Sequence, residues 1–221
     1  MSELQTERTT VRRLPSRGAY DAATIHSILD EALICHVGFV AEGQPVVIPT
    51  IHTRIGETLY FHGSQASRML RNLREGVSAC VTVTLLDGLV LARSAFHHSM
   101  NYRSAVVFGT AREVTGDDEK RRVLDALVEH VAAGRSADVR PPSAKELRGT
   151  MVLALPISEA SAKIRTGGPV DDDEDYALTV WAGVLPLALT PGEPVPDTGV
   201  SAEAPEYLRR YRRGNELRIE D

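Results

Sequence analysis

Hydrophobic residues recur along this chain at two periods. From Asp21 to Leu33 they fall three and four apart, at Ile25, Ile28, Leu29, Ala32 and Leu33, the stripe of an amphipathic helix with Asp21 as its N-cap. The run LICHVGFVAEGQPVVIPTIHTRIGETLYFHG then changes to strand-like alternation. It predicts strands over Leu33–Val40, Pro45–His52 and Thr58–His62, joined by AEGQ and RIGE turns whose glycines accept positive backbone angles. Together these make an antiparallel meander.

The segment SQASRMLRNLREG reverts to helical spacing, with Leu70 and Leu73 inward, Arg68, Arg71 and Arg74 interspersed and Gly76 as the stop. VSACVTVTLLDG, LVLARSAF and NYRSAVVFGTAREV alternate again, giving at least six strands before the next helix. That helix is DDEKRRVLDALVEHV, capped at Asp117 or Asp118, with Val123, Leu124, Leu127, Val128 and Val131 as its buried stripe. A loop, AAGRSADVRPP, leads to a short helix, SAKELRG, and a strand, TMVLALPIS. Strands in series without β-α-β alternation predict a mainly β fold: an antiparallel sheet closed into a barrel, with flanking helices outside. Beyond it lie KIRTGGPVDDDEDY, whose acidic run Asp171 to Asp175 reads as a solvated loop or a lid, and ALTVWAGVLPLAL with the single tryptophan, Trp181. The organisation expected is an arm over 1–20, one domain over 21–197 and a weakly ordered tail over 198–221.

Composition narrows the classes. A chain of 221 residues, 43% hydrophobic and 25% charged, suits one globular domain. Two cysteines, Cys35 and Cys80, both in strand-like runs, read as buried thiols in a reducing cytoplasm. No apolar run approaches the roughly 18 residues of a membrane span, so neither membrane insertion nor secretion is expected. A net charge of −5 argues against nucleic acid as a partner. The basic tail YLRRYRRG, Tyr207 to Gly214, reads as a solvated helix or arm, with RNA or an acidic partner as the alternative.

One corner carries candidate chemistry. Between Gly63 and Arg68 a strand passes into a helix, and Ser64 and Ser67 supply hydroxyls while Arg68 supplies a guanidinium fork, a set that suits phosphate. The alternative is an ordinary capped helix with solvated arginines and no ligand. His52, His97 and His98 have no carboxylate or cysteine at a ligand spacing, so no metal is expected.

The stretch PVVIPTIHTRIGETLYFHGSQASRMLRNLREGVSACVTVT resembles the pyridoxamine 5′-phosphate oxidase-like, FMN-binding split-barrel superfamily, in particular its flavin-nucleotide-binding branch, related to nitroimidazole-resistance proteins. The resemblance runs from about Arg12 to Asp197. It implies a split barrel that binds FMN or FAD, with Ser67 and Arg68 on the phosphate beside Gly63 and Ser64. Pro49, Thr50 and Ile51 would line the ring, and His62 would stand near it. Arg103 and Ser104 fall where the family carries an Arg-Gln pair. A homodimer is implied, with the flavin between subunits, Trp181 in the shared wall and a small-molecule redox substrate. Met69 replaces the oxidases' lysine, the neutral IPTIH replaces a basic contact, and the chain ends LRRYRRGNELRIED rather than in Arg-Leu-Ser-Pro. Pyridoxamine phosphate oxidation is therefore not expected. No side chain presents itself as a catalytic acid or base, and a flavin-dependent oxidoreductase stands beside a noncatalytic flavin or haem carrier or sensor.

Overall fold

A computed structural model describes residues 4–212. Its elements are β1 (Gly18–Ala19), α1 (Ala22–Glu31), β2 (Ile34–Ala41), β3 (Gln44–Ile51), β4 (Thr53–Ile55), β5 (Thr58–Ser64), α2 (Arg68–Arg74), β6 (Ser78–Leu91), β7 (Ser99–Thr110), β8 (Arg112–Glu113), α3 (Asp117–Val131), α4 (Ala144–Gly149), β9 (Thr150–Pro156), β10 (Ala160–Arg165), β11 (Gly183–Pro186) and α5 (Glu206–Arg209). Every strand pairing among the described residues is antiparallel. One sheet runs β1-β10-β7-β6-β2-β3 with β11 added beside β6, and a second runs β4-β5-β9-β8. The expected barrel is thus a split one, two sheets that do not close, with helices outside.

Alternation along the strands builds the main core. Cys35, Val37, Phe39 and Ala41 of β2, Leu59 and Phe61 of β5, and Met151, Leu153 and Leu155 of β9 point into it. Ile25, Ile28 and Leu29 of α1 close one opening, and Met69, Leu70 and Leu73 of α2 join the same cluster. Each such buried side chain contributes about 1.5–3 kcal/mol before entropy is counted. Asp21 caps α1, accepting from the Thr24 N–H at 2.8 Å. On the back of the smaller sheet lies a second core, in which Val123 and Leu127 of α3 pack with Tyr60, Val114, Val152 and Ala154.

Several local readings change in three dimensions. VSACVTVTLLDG and the start of LVLARSAF form one strand: β6 runs through both for 14 residues, with its register shifting between Leu86 and Gly88. The bulge holds because Arg103 takes the Asp87 carboxylate, and because Gly88 lets β11 approach: a Cβ there would stand 3.0 Å from the Leu185 carbonyl oxygen. KIR belongs to β10, and the buried Arg165 donates to the carbonyls of Gly167 and Gly168 at 3.2 and 3.1 Å. Asp171 departs from the solvated loop expected of the acidic run. It is buried and accepts from the backbone N–H groups of Arg93 and Ser94 at 3.0 and 3.2 Å, which stitch the segment after β10 to the end of β6.

Residues before β1 lie along the sheet as well, since the Leu4 carbonyl accepts from the Ala160 N–H at 3.0 Å. In the tail, Tyr207 on α5 donates to Asp138 at 2.6 Å. The end of the basic tail, Arg213 to Asp221, lies outside the described residues. Cys35 is a buried free thiol and Cys80 a half-buried one. Among the described residues no helix is long and apolar enough to cross a membrane.

Candidate functional site

β5 delivers side chains to two places at once. Leu59 and Phe61 face the main core, so Tyr60 and His62 emerge on the opposite side, towards α3. The strand then ends at Ser64, and the Ser67 N–H donates to the Ser64 carbonyl at 2.9 Å, turning the chain into α2. Ser64 Oγ accepts from the Ala66 N–H at 3.2 Å and Ser67 Oγ from the Leu70 N–H at 3.4 Å. Both hydroxyls are used as acceptors and keep their O–H to donate.

Arg68, the first residue of α2, is exposed, and its guanidinium has no partner among the described residues. Elsewhere the chain's acids are spent on arginines: Asp30 on Arg54, Glu31 and Asp87 on Arg103, Glu146 on Arg140. α2 has only seven residues, so its macrodipole is a minor help, and the guanidinium and two hydroxyls are the main anion-binding groups at this corner.

β3 is an edge strand, hydrogen-bonded to β2 alone, which is where a proline with no N–H to give is tolerated. Pro49 and Ile51 share one face of it; Thr50 points to the other. Ile51 and His62 line a cleft of about 600 Å³ together with residues of α3, the loop after it and Glu146 of α4. His62 Nδ1 is buried without a hydrogen-bond partner. Burial holds the imidazole pKa below its usual value.

The remaining candidates lie elsewhere on the protomer. Arg103 opens on a separate cleft with Glu31, Leu33 and Leu187, where two carboxylates hold it. Ser104 donates to the Lys163 carbonyl at 3.2 Å within the sheet. Trp181 is 64% exposed. Of the histidines weighed for a metal, His52 Nε2 donates to the Leu29 carbonyl at 2.9 Å, His97 Nε2 stands 3.2 Å from Asp172, and His98 Nδ1 donates to the Ser94 carbonyl at 3.0 Å. Sequence reasoning missed the cleft. Its one signal was the width of the α3 stripe, five apolar residues where the core behind the sheet takes three.

The family profile described as pyridoxamine 5′-phosphate oxidase matches residues 21–164. The chain belongs to that family. No curated protein matches it. Among solved structures, the flavocytochrome Anf3 from Azotobacter vinelandii is similar at 40% identity over 95% of this chain and 98% of its own, with a TM-score of 0.88. The FAD and haem binding protein from Mycobacterium smegmatis follows at 41% identity over 87% and 96%, with a TM-score of 0.83. A candidate 5-nitroimidazole antibiotic resistance protein from Bacteroides thetaiotaomicron is similar at 28% identity over 66% and 86%, with a TM-score of 0.55. This member of the pyridoxamine 5′-phosphate oxidase family therefore shares most of its length with two proteins whose names carry a flavin or a haem.

Proposed function

We propose that this protein is a flavin-binding redox protein, taking FMN or FAD at the corner between β5 and α2 and working on a small molecule. The observation that carries this reading is Arg68: in a chain of net charge −5, a guanidinium with no partner among the described residues stands beside two serine hydroxyls free to donate. Hydrogen bonds to a charged group are worth about 1.5–3 kcal/mol each, so these three donors anchor a phosphate. Pro49 and Ile51, on one face of an edge strand, offer the ring an apolar wall. A bound flavin would supply hydride or one-electron transfer. The chain's own part is to orient the ring and hold its anionic end.

The site is completed by a second copy of the chain. Ile34, Val40 and Val47 on the outer face of β2 and β3 are each more than half exposed, as is Trp181. Apolar exposure of this kind marks an interaction surface. In the dimer the partner copy's C-terminal segment, with its tryptophan, covers the ring.

A second cofactor is favoured by the two structures that match at 40% and 41% identity, one a flavocytochrome and the other an FAD and haem binding protein. On that reading the protein holds a haem beside its flavin, and electrons pass between them. The test is the absorption spectrum of the purified protein. A flavin band bleached by a hydride donor, with the released chromophore identified by mass, supports the first reading. A colourless protein that takes up neither FMN nor FAD refutes it.

A further inference from the structure

The apolar stripe of α3 is divided between two surfaces. Val123 and Leu127 are buried against Tyr60, Val152 and Ala154. Leu124, Val128 and Val131 line the cleft with Ile51 and His62, where Leu127 also reaches it and Leu124 also packs on that core, and Val131 is 40% exposed. A volume of about 600 Å³ falls in the ~300–1,000 Å³ range of small-molecule sites. An amphipathic helix that leaves such a stripe facing an open cleft loses the hydrophobic stabilisation the stripe would bring, unless something apolar fills the space.

The polar side chains of the lining are His62, Asp125, Arg135, Arg140 and Glu146. His62 is half-buried and makes no hydrogen bond to any described residue. Nδ1 is buried, and Nε2 is the accessible nitrogen. The other four are exposed. Glu146 already holds Arg140, with Nη1 donating at 2.8 Å. Arg135 gives one N–H to Tyr207 Oη at 3.1 Å, leaving the rest of its donors without an acceptor among the described residues. A half-buried imidazole, aliphatic walls and exposed guanidinium groups suit a ligand that is flat and apolar, carries a metal at its centre and bears carboxylates at one edge. Ser67 and Arg68 take no part in lining this space, so the phosphate corner is left for the flavin.

Resting on the haem reading above, we infer that this cleft is the haem pocket, with His62 Nε2 as an axial ligand to the iron, Leu124 and Val128 against the porphyrin face, and Arg135 paired with a propionate. β5 then presents the two sites in succession, His62 to the haem and Ser64 to the flavin corner, within one strand.

The experiment is titration of the full-length protein with hemin, read as a Soret band and as tryptophan quenching, for the wild type, His62→Ala and Val128→Trp. The wild type is expected to bind one hemin per chain. His62→Ala should weaken binding at least tenfold and shift the band, with added imidazole restoring its position. Val128→Trp keeps the ligand but fills the cleft, and should exclude hemin while flavin binding persists. If the wild type binds hemin and His62→Ala binds equally well with an unshifted band, the placement is overturned and the haem reading stands. If the wild type gives no band at all, the haem reading fails and the placement with it.

Discussion

Arg103 and Glu31 are joined through two hydrogen bonds, the longer from Nη2 to Oε1 at 2.8 Å, linking the middle of β7 to the last residue of α1. Asp87, at the bulge of β6, takes the other edge of the same guanidinium through Nε at 3.0 Å and Nη2 at 2.7 Å. These bonds, Glu31 first and Asp87 second, hold the Arg103 pKa above its ordinary value. An arginine so engaged is a structural clamp on this protomer. Arg103→Ala leaves two carboxylates close together and partly buried, and is expected to destabilise the protein by about 1–3 kcal/mol. Urea unfolding of Arg103→Ala, Glu31→Ala and the double variant checks this: the double variant should cost clearly less than the sum of the singles. Additive effects would refute the clamp.

Arg68 is the opposite case. Exposed and unpaired, it contributes little to folding, so Arg68→Ala should leave the apoprotein's melting temperature within the range of neutral surface changes. Flavin affinity should fall at least tenfold, equivalent to about 1.4 kcal/mol. Equilibrium titration with FMN and with FAD measures it, and an unchanged dissociation constant for both would remove Arg68 from the site.

Cys35 makes stability depend on pH at the alkaline side. Burial pushes its thiol up to about 12, against ~8.5 in an unfolded chain. Between those values the unfolded state has released a proton that the native state keeps, so stability falls as pH rises, by up to ~1.4 kcal/mol per unit for this group. Urea unfolding between about pH 8 and pH 10 should show a shallower decline for Cys35→Ala than for the wild type. The Cys35 thiol should also react slowly with alkylating agents in the native protein. Identical pH slopes for the two proteins would contradict this account.

Trp181, 64% exposed in the protomer, reports on the proposed dimer. Its emission should move to longer wavelength as the protein is diluted through its dissociation constant, in step with a fall in sedimentation coefficient. Trp181→Ala should weaken association and leave the melting temperature of the monomer unchanged. Emission independent of concentration, in a protein that sediments as a monomer throughout, would exclude the dimer.

How much of this was legible beforehand follows the range of the interactions concerned. The α1 stripe and its Asp21 cap, the hairpin of β2 and β3, the edge character that Pro49 imposes, and the passage from β5 into α2 at Ser64–Arg68 are all written in spacings of a few residues. Backbone sterics and side-chain period set these locally, so alternation and capping signals reveal them. The Ser67–Arg68 pair also carries the family resemblance, which the match over residues 21–164 bears out.

Other features depend on partners far away in the chain, and no local pattern encodes them. Whether Asp87 ends a strand or bulges within one is decided by Arg103 and by the arrival of β11 at Gly88. Asp171 looks like its solvated neighbours until the backbone N–H groups of Arg93 and Ser94 close on it. The α3 stripe marks five apolar positions without saying that Val123, Leu124 and Leu127 pack behind a sheet while Val128 and Val131 line a cleft shared with His62. A hydrophobic period tells which side of an element leaves water; only the packing of the two sheets and the helices decides what each side chain finds there.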